Sequence, residues 1–231
     1  MQLLNRLHRY AVNNSKRNIS VDENGKLDDE ISVISFEVNG KYYGGRFAKN
    51  SGLLASQGWH AEYVHLPADW LTLIIITFEK VPSDYAILKT THLHEDQTGD
   101  DTLWASGYEV YDRLSTPIQK FADTLKAVHY QPSFNNIAKE HDIDLISGDR
   151  GAPENTGFDF KASHPLVRIS PVMGWKSLFG AADQVENGWI EGVTKRESQI
   201  LKQYFNQLIA ENHGLQVRFK WGTNDLAIWD K

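Results

Sequence analysis

The apolar residues of this chain come in short runs, rich in β-branched and aromatic side chains and separated by turn-forming residues. That spacing limits the fold more than any other feature. LTLIIITFE (71–79) has the length and β-branched content of a buried strand. ISVISFEV (31–38) alternates imperfectly, and Asn39-Gly40 before Lys41-Tyr42-Tyr43 makes a hairpin turn. Further strands are expected at Tyr85–Leu93, and at His164–Pro171 and Trp175–Phe179 around a Met173-Gly174 turn. LQVRFKW (215–221) and LAIWD (226–230) flank a turn at Gly222–Asp225. Helical spacing is confined to the interior. It runs from Leu103 through Tyr108, Tyr111 and Leu114, then through Ile118, Phe121, Leu125 and Val128. Ser115 caps the second stretch and Pro117 lies in its first turn. Pro132–His141 reads as a helix capped by Ser133, and Thr194–Asn212 as a long one with a Thr194/Glu197 capping box and Gly214 beyond its end. Strands toward both ends with helices between them predict a mainly β domain, an antiparallel, sandwich-like sheet carrying inserted helices. It is expected over 31–231, behind a polar segment at 1–30. LAIWD is expected to lack a following partner strand.

At 231 residues the chain can bury one sizeable core. Its net charge of -6 gives no global field for nucleic acid or an anionic membrane, so an anionic substrate would need a local cluster of cations. With no cysteine, disulfides, thiolate metal sites and thiol nucleophiles are excluded, and a transition metal would have to be held by His, Asp and Glu. The N-terminal stretch is polar and basic, without the apolar centre of a secretory signal, and the run at 71–76 is too short to span a bilayer. A cytoplasmic enzyme is the expectation.

GDDTLWASGYEVYDRLS (99–115), ASHPLVR (162–168), VMGWKSLF (172–179) and LQVRFKWGTNDLAIWD (215–230) resemble, in that order, the taurine/sulfonate dioxygenases. VPSDYAILK (81–89) and RGAPENTG (150–157) look especially like the fungal branch. The resemblance covers roughly residues 28–230 and implies a double-stranded β-helix, or jelly roll, here incomplete. It also implies Fe(II), with 2-oxoglutarate and O2 as cosubstrates, and a small sulfonate oxidised to release sulfite, succinate and CO2. Two His and one carboxylate on one face of Fe(II) would leave positions open for 2-oxoglutarate and oxygen. An Arg usually holds the distal carboxylate of 2-oxoglutarate, assisted by a Thr hydroxyl. The expected partners are these small molecules, with neither nucleic acid nor membrane, and with self-association into a homo-oligomer left open.

Carried over residue by residue, Trp59-His60-Ala61-Glu62 matches the family's His-x-Asp motif with Glu in place of Asp. Alternate residues of a strand share a face, so one metal can meet both His60 and Glu62. In the family this pair leads almost directly into a segment like Thr77-Phe78-Glu79. Here YVHLPADWLTLIII (63–76) intervenes and reads as an insertion. Thr102 matches the Thr that contacts 2-oxoglutarate; a plain turn or helix-entry Thr is the alternative. His92, His94 and Asp96 form a rival metal- or anion-binding cluster, whose bland reading is a solvated loop. His164 is expected to pack in the fold, and His129, His141 and His213 to sit at or near helix ends. Arg168 and Arg218 are expected to pair with buried carboxylates or to bind an anion, and Trp104, Trp221 and Trp229 to belong to the core. The resemblance places the second iron His and the 2-oxoglutarate Arg beyond Lys231, so weak or absent turnover is expected of the chain as it stands. The alternatives are a catalytically dead remnant of the family and a module binding metal or anions through His92, His94 and Asp96.

Overall fold

The computed structural model describes residues 77–230 apart from 92, 94–100, 141–144, 146, 180–184 and 186. The strands expected at 31–38 and 71–76 lie outside the described residues. Nine strands are described: β1 (Tyr85–Lys89), β2 (Thr102–Ala105), β3 (Lys126–Tyr130), β4 (Lys161–Pro165), β5 (Val167–Ile169), β6 (Lys176–Leu178), β7 (Asn187–Ile190), β8 (Gln216–Phe219) and β9 (Leu226–Asp230). Four α-helices lie among them: α1 (Gly107–Asp112), α2 (Thr116–Ala122), α3 (Ser133–Glu140) and α4 (Lys195–Glu211).

The pairing is antiparallel throughout, and much of it joins segments far apart in the chain. β1 pairs with β9, β2 with β8, and β3 stands between β4 and β7, while β5 and β6 form a local hairpin. LAIWD therefore has a strand partner, supplied by the much earlier Tyr85–Lys89. The 222–225 turn does not fold β8 back onto β9; it passes the chain from one strand pair to the next. Asn224 adopts φ 69°, and the Asp225 carboxylate accepts from the Gly222 N–H. The β5–β6 turn comes where expected, with Gly174 at φ 70° and its N–H donating to the Ser170 carbonyl.

Two segments depart from the helical reading. Thr102–Ala105 is a strand, because ladder partners on β8 outweigh a periodicity that begins only at Tyr108. Lys126–Tyr130 is the central strand of its sheet, and Val128 met the helical spacing by coincidence. The helix between these strands is broken at residues 113–115, where Ser115 becomes the N-cap of α2 with Pro117 in the first turn, as expected. α4 follows its sequence signals closely. The Thr194 hydroxyl accepts from Glu197 N–H, and the Glu197 carboxylate accepts from Thr194 N–H.

The helices close one core against the sheets. Val110, Tyr111, Leu114, Ala122, Leu125, Ala127, Leu166, Val167, Leu178, Ile190, Phe205 and Leu215 form a single buried cluster. Phe205 is the contribution of α4 and is fully enclosed. Truncating such a ring removes its transfer free energy and leaves a cavity. Phe205→Ala should therefore lower unfolding stability by about 3–5 kcal/mol, read from the denaturant midpoint at unchanged slope.

Candidate active site

Thr102 opens β2 and faces Phe219 across the ladder to β8. Alternation along the strand puts Thr102 and Trp104 on one side, and Trp221, two residues past Phe219, extends the same side from the other chain segment. Thr102 is completely buried. The Trp221 indole N–H donates to Thr102 Oγ1 at 2.8 Å. Three aromatic rings surround Trp104: Trp229 of β9 at 5.5 Å between centroids, Phe219 at 5.8 Å and Trp221 at 6.1 Å. Trp221 is buried, as expected of a core residue, whereas Trp104 and Trp229 are half-buried; together they join the β2–β8 pair to the β1–β9 pair.

The hydrogen-bond inventory around Thr102 is asymmetric. An indole nitrogen only donates, so the threonine hydroxyl accepts in this bond and keeps its own proton. Among the described residues no acceptor receives that proton. A buried donor left unmet costs about 1–3 kcal/mol. Trp104 Nε1 is a second buried donor without a partner among the described residues. A carboxylate, which only accepts, is the chemical complement of such a hydroxyl, so the described part of the site fits an oxo-acid cosubstrate.

A second constellation fixes the segment from Thr77 to Ser83. His129 on β3 and His164 on β4 are diagonal neighbours on one face of their sheet, with rings 5.4 Å apart. His129 Nδ1 and Thr77 Oγ1 share a hydrogen bond of 2.9 Å, and His164 Nε2 donates to the Thr77 carbonyl at 2.7 Å. Two residues on, Glu79 is buried and bonded bidentately by Arg150, whose guanidinium also donates to the Gly157 carbonyl. Asn155 completes the clamp by accepting from Val81 N–H and donating to the Val81 carbonyl. His129 is thus a buried strand residue and not a helix-end histidine. The expectation failed because β3 was read as the end of a helix. His164 packs in the fold as expected, and RGAPENTG supplies two of the clamping side chains, Arg150 and Asn155.

Burial pushes the His129 imidazole down to about 3, and the nearby His164 and Lys202 act in the same direction. His164 is also lowered, chiefly by burial. Both rings are therefore neutral at pH 7.

The remaining candidates divide. His60, Glu62, His92, His94 and Asp96 lie outside the described residues. Among the described residues no group of three His, Asp or Glu side chains is placed to hold a metal ion. Arg168 lies with its guanidinium carbon 4.5 Å over the Phe179 ring, and its Nη1 is buried without a hydrogen-bond partner. Arg218 pairs with Asp101 while remaining largely exposed, so its carboxylate partner is near the surface and not deep in the core. His213 sits at the 3-10 turn after α4, as expected for a helix-end histidine.

The antiparallel pairing agrees with the jelly-roll fold of the taurine dioxygenases on which the chain superposes. The family described as "Taurine catabolism dioxygenase TauD, TfdA family" matches residues 30–230. The chain belongs to that family and, within it, to the fungal branch. It is 47% identical over 155 residues to alpha-ketoglutarate-dependent dioxygenase oryG of Aspergillus oryzae, covering 67% of this chain and 44% of that protein. It is 30% identical over 220 residues to a putative alpha-ketoglutarate-dependent sulfonate dioxygenase of Schizosaccharomyces pombe, covering 88% of this chain and 52% of that protein. Among solved structures, a taurine dioxygenase from Burkholderia xenovorans superposes with a TM-score of 0.55 at 26% identity, over 78% of this chain and 50% of that one. The chain spans about half the length of the curated relatives it matches. Among the described residues no helix is long and apolar enough to cross a membrane.

Two measurements check the clamp. Removing one partner of a buried ion pair leaves an unpaired buried group, so Glu79→Gln or Arg150→Met alone should cost about 3–5 kcal/mol. The double variant should recover part of that loss in urea titrations. The histidines give a pH signature. Their folded-state pKa values lie below the unfolded value, so the unfolded chain binds more protons in acid. Stability should be fully present above about pH 6.5 and fall as pH drops toward 3, with His129 contributing a slope of up to about 1.4 kcal/mol per pH unit. His129→Asn should flatten the fall between about pH 6 and 4, as followed by thermal melts.

Proposed function

We propose that this protein is a ferrous-iron- and 2-oxoglutarate-dependent dioxygenase that oxidises a small alkyl sulfonate, such as taurine, and releases sulfite, succinate and CO2. The observation that carries this reading is the buried Thr102 hydroxyl, whose proton meets no acceptor among the described residues, on a jelly-roll strand face. Thr102 binds the distal carboxylate of 2-oxoglutarate through that proton. His60 and Glu62 supply an imidazole and a carboxylate to the iron, within a domain running from 31 to 231. When bound, the iron couples oxidative decarboxylation of 2-oxoglutarate by O2 to oxidation of the substrate carbon. The chain's own part is to bind and orient. The Thr77–Ser83 clamp holds the backbone that follows the proposed ligand pair, and the tryptophan and phenylalanine rings keep water from the cosubstrate carboxylate. The sulfonate is proposed because sulfonate dioxygenases of Schizosaccharomyces pombe and Saccharomyces cerevisiae are among the relatives. Relatives named only as alpha-ketoglutarate-dependent dioxygenases, such as oryG, make other small substrates the natural comparison set.

The test is succinate and sulfite release from the purified chain supplied with Fe(II), 2-oxoglutarate, O2 and taurine or other alkyl sulfonates, alongside titration calorimetry. Weak succinate formation that requires both iron and 2-oxoglutarate, with sulfite matching it, is the expected result. Succinate without sulfite would move the substrate away from sulfonates. Metal binding without 2-oxoglutarate binding would indicate a metal module, for which His92, His94 and Asp96 are the candidates. Binding of neither would indicate a non-catalytic member of the family. Thr102→Val should weaken 2-oxoglutarate binding by roughly tenfold, the loss of one hydrogen bond to a charged group.

A further inference from the structure

The proposed cosubstrate contact leaves one question open: what makes the Thr102 hydroxyl a donor? A hydroxyl rotates to suit its neighbours and can present either its proton or a lone pair. Thr102 is β-branched on a strand, so its χ1 is already restricted and Oγ1 has a defined place. The remaining freedom is the O–H torsion. Trp221 Nε1–H lies 2.8 Å from Oγ1 and can only donate, so the proton must point elsewhere. Trp221 is itself held: it is 5% exposed and its ring meets Phe219 at 4.9 Å and Trp104 at 6.1 Å.

We propose that Trp221 is a positioning residue for the 2-oxoglutarate carboxylate, acting through Thr102 by holding its hydroxyl in the donor orientation. This rests on the cosubstrate reading of Thr102 given above. The role is not visible from residue spacing, since Trp221 stands 119 positions from Thr102. A purely structural tryptophan would support the fold without distinguishing one oxo-acid from another. A positioning tryptophan affects only ligands that use the Thr102 proton.

The test compares the full chain with its Trp221→Phe, Thr102→Val, Thr102→Ser and double Trp221→Phe/Thr102→Val variants. Binding of 2-oxoglutarate and of 2-oxopentanoate, which lacks the distal carboxylate, is titrated with Mn(II) as a redox-silent metal. Trp221→Phe is expected to weaken 2-oxoglutarate binding by roughly fivefold, about the worth of one ordinary hydrogen bond, and to leave 2-oxopentanoate unchanged. The double variant should bind like Thr102→Val alone, because the two residues act in series. Thr102→Ser should bind like the unaltered protein. Equal weakening of both ligands by Trp221→Phe, or additive losses in the double variant, would overturn the proposal. The Trp221 indole N–H resonance provides a readout independent of any ligand, and it should move in Thr102→Val. An unmoved resonance would remove the hydrogen bond on which the inference stands. If the resonance moves but the unaltered protein binds no 2-oxoglutarate, the cosubstrate reading itself fails and the positioning role falls with it.

Discussion

Long-range antiparallel pairing is the constraint on which the rest of the structure depends. Thr102 and Trp221 lie far apart in sequence, and only the β2–β8 ladder brings their segments alongside. The β1–β9 ladder then sets Trp229 against Trp104 and closes the aromatic cluster from the next strand pair. Each such pairing closes a long loop, and the entropy of that closure must be met before any contact is gained. The hydrogen bonds of a four- or five-residue ladder do not suffice alone. The aromatic rings that interdigitate over the ladders add dispersion and apolar burial at the same places. The cluster is therefore both the adhesive of the scaffold and the wall of its candidate site.

The Thr77–Ser83 segment shows the same economy with polar groups. It has no regular secondary structure, so its backbone groups must find partners elsewhere. His164 takes one carbonyl, and Asn155 takes both the N–H and the carbonyl of Val81. Arg150 meets Glu79 with two hydrogen bonds and lies 5.1 Å from the Phe160 ring centre, which lowers the cost of burying the guanidinium. A buried ion pair of this kind contributes less to net stability than to specifying one arrangement. That suits a segment which, in the family's motif order, comes next after the residues proposed to hold the iron, here with residues 63–76 between them.

How much of this was legible in the sequence depended on whether the determining interaction was local. α4 was readable to within a residue because Thr194 and Glu197 satisfy each other within one turn. The β5–β6 turn was readable from Gly174, whose positive φ is a local requirement. β2 and β3 were not, because their strand character comes from distant ladders while their own residues happen to fit a helical period. The same error misplaced His129. Thr102 could be singled out only through the resemblance of its surrounding motif. Its hydrogen-bond state, the Glu79–Arg150 pair and the Asn155 clamp join residues 71 or more positions apart, and no local pattern announces them.

The two constellations differ in what they leave unsatisfied. Around Thr77–Ser83 the polar set is nearly complete; among the described residues there, His129 Nε2 stays without a partner, and on a neutral ring that atom can be a bare lone pair, the less costly state to bury. Around Thr102 the deficit is of the opposite kind. Among the described residues, two buried donors, the Thr102 hydroxyl proton and Trp104 Nε1–H, have no acceptor. Protons left unmet on one strand face, among the described residues, are chemically complementary to an anionic acceptor such as the oxo-acid proposed above.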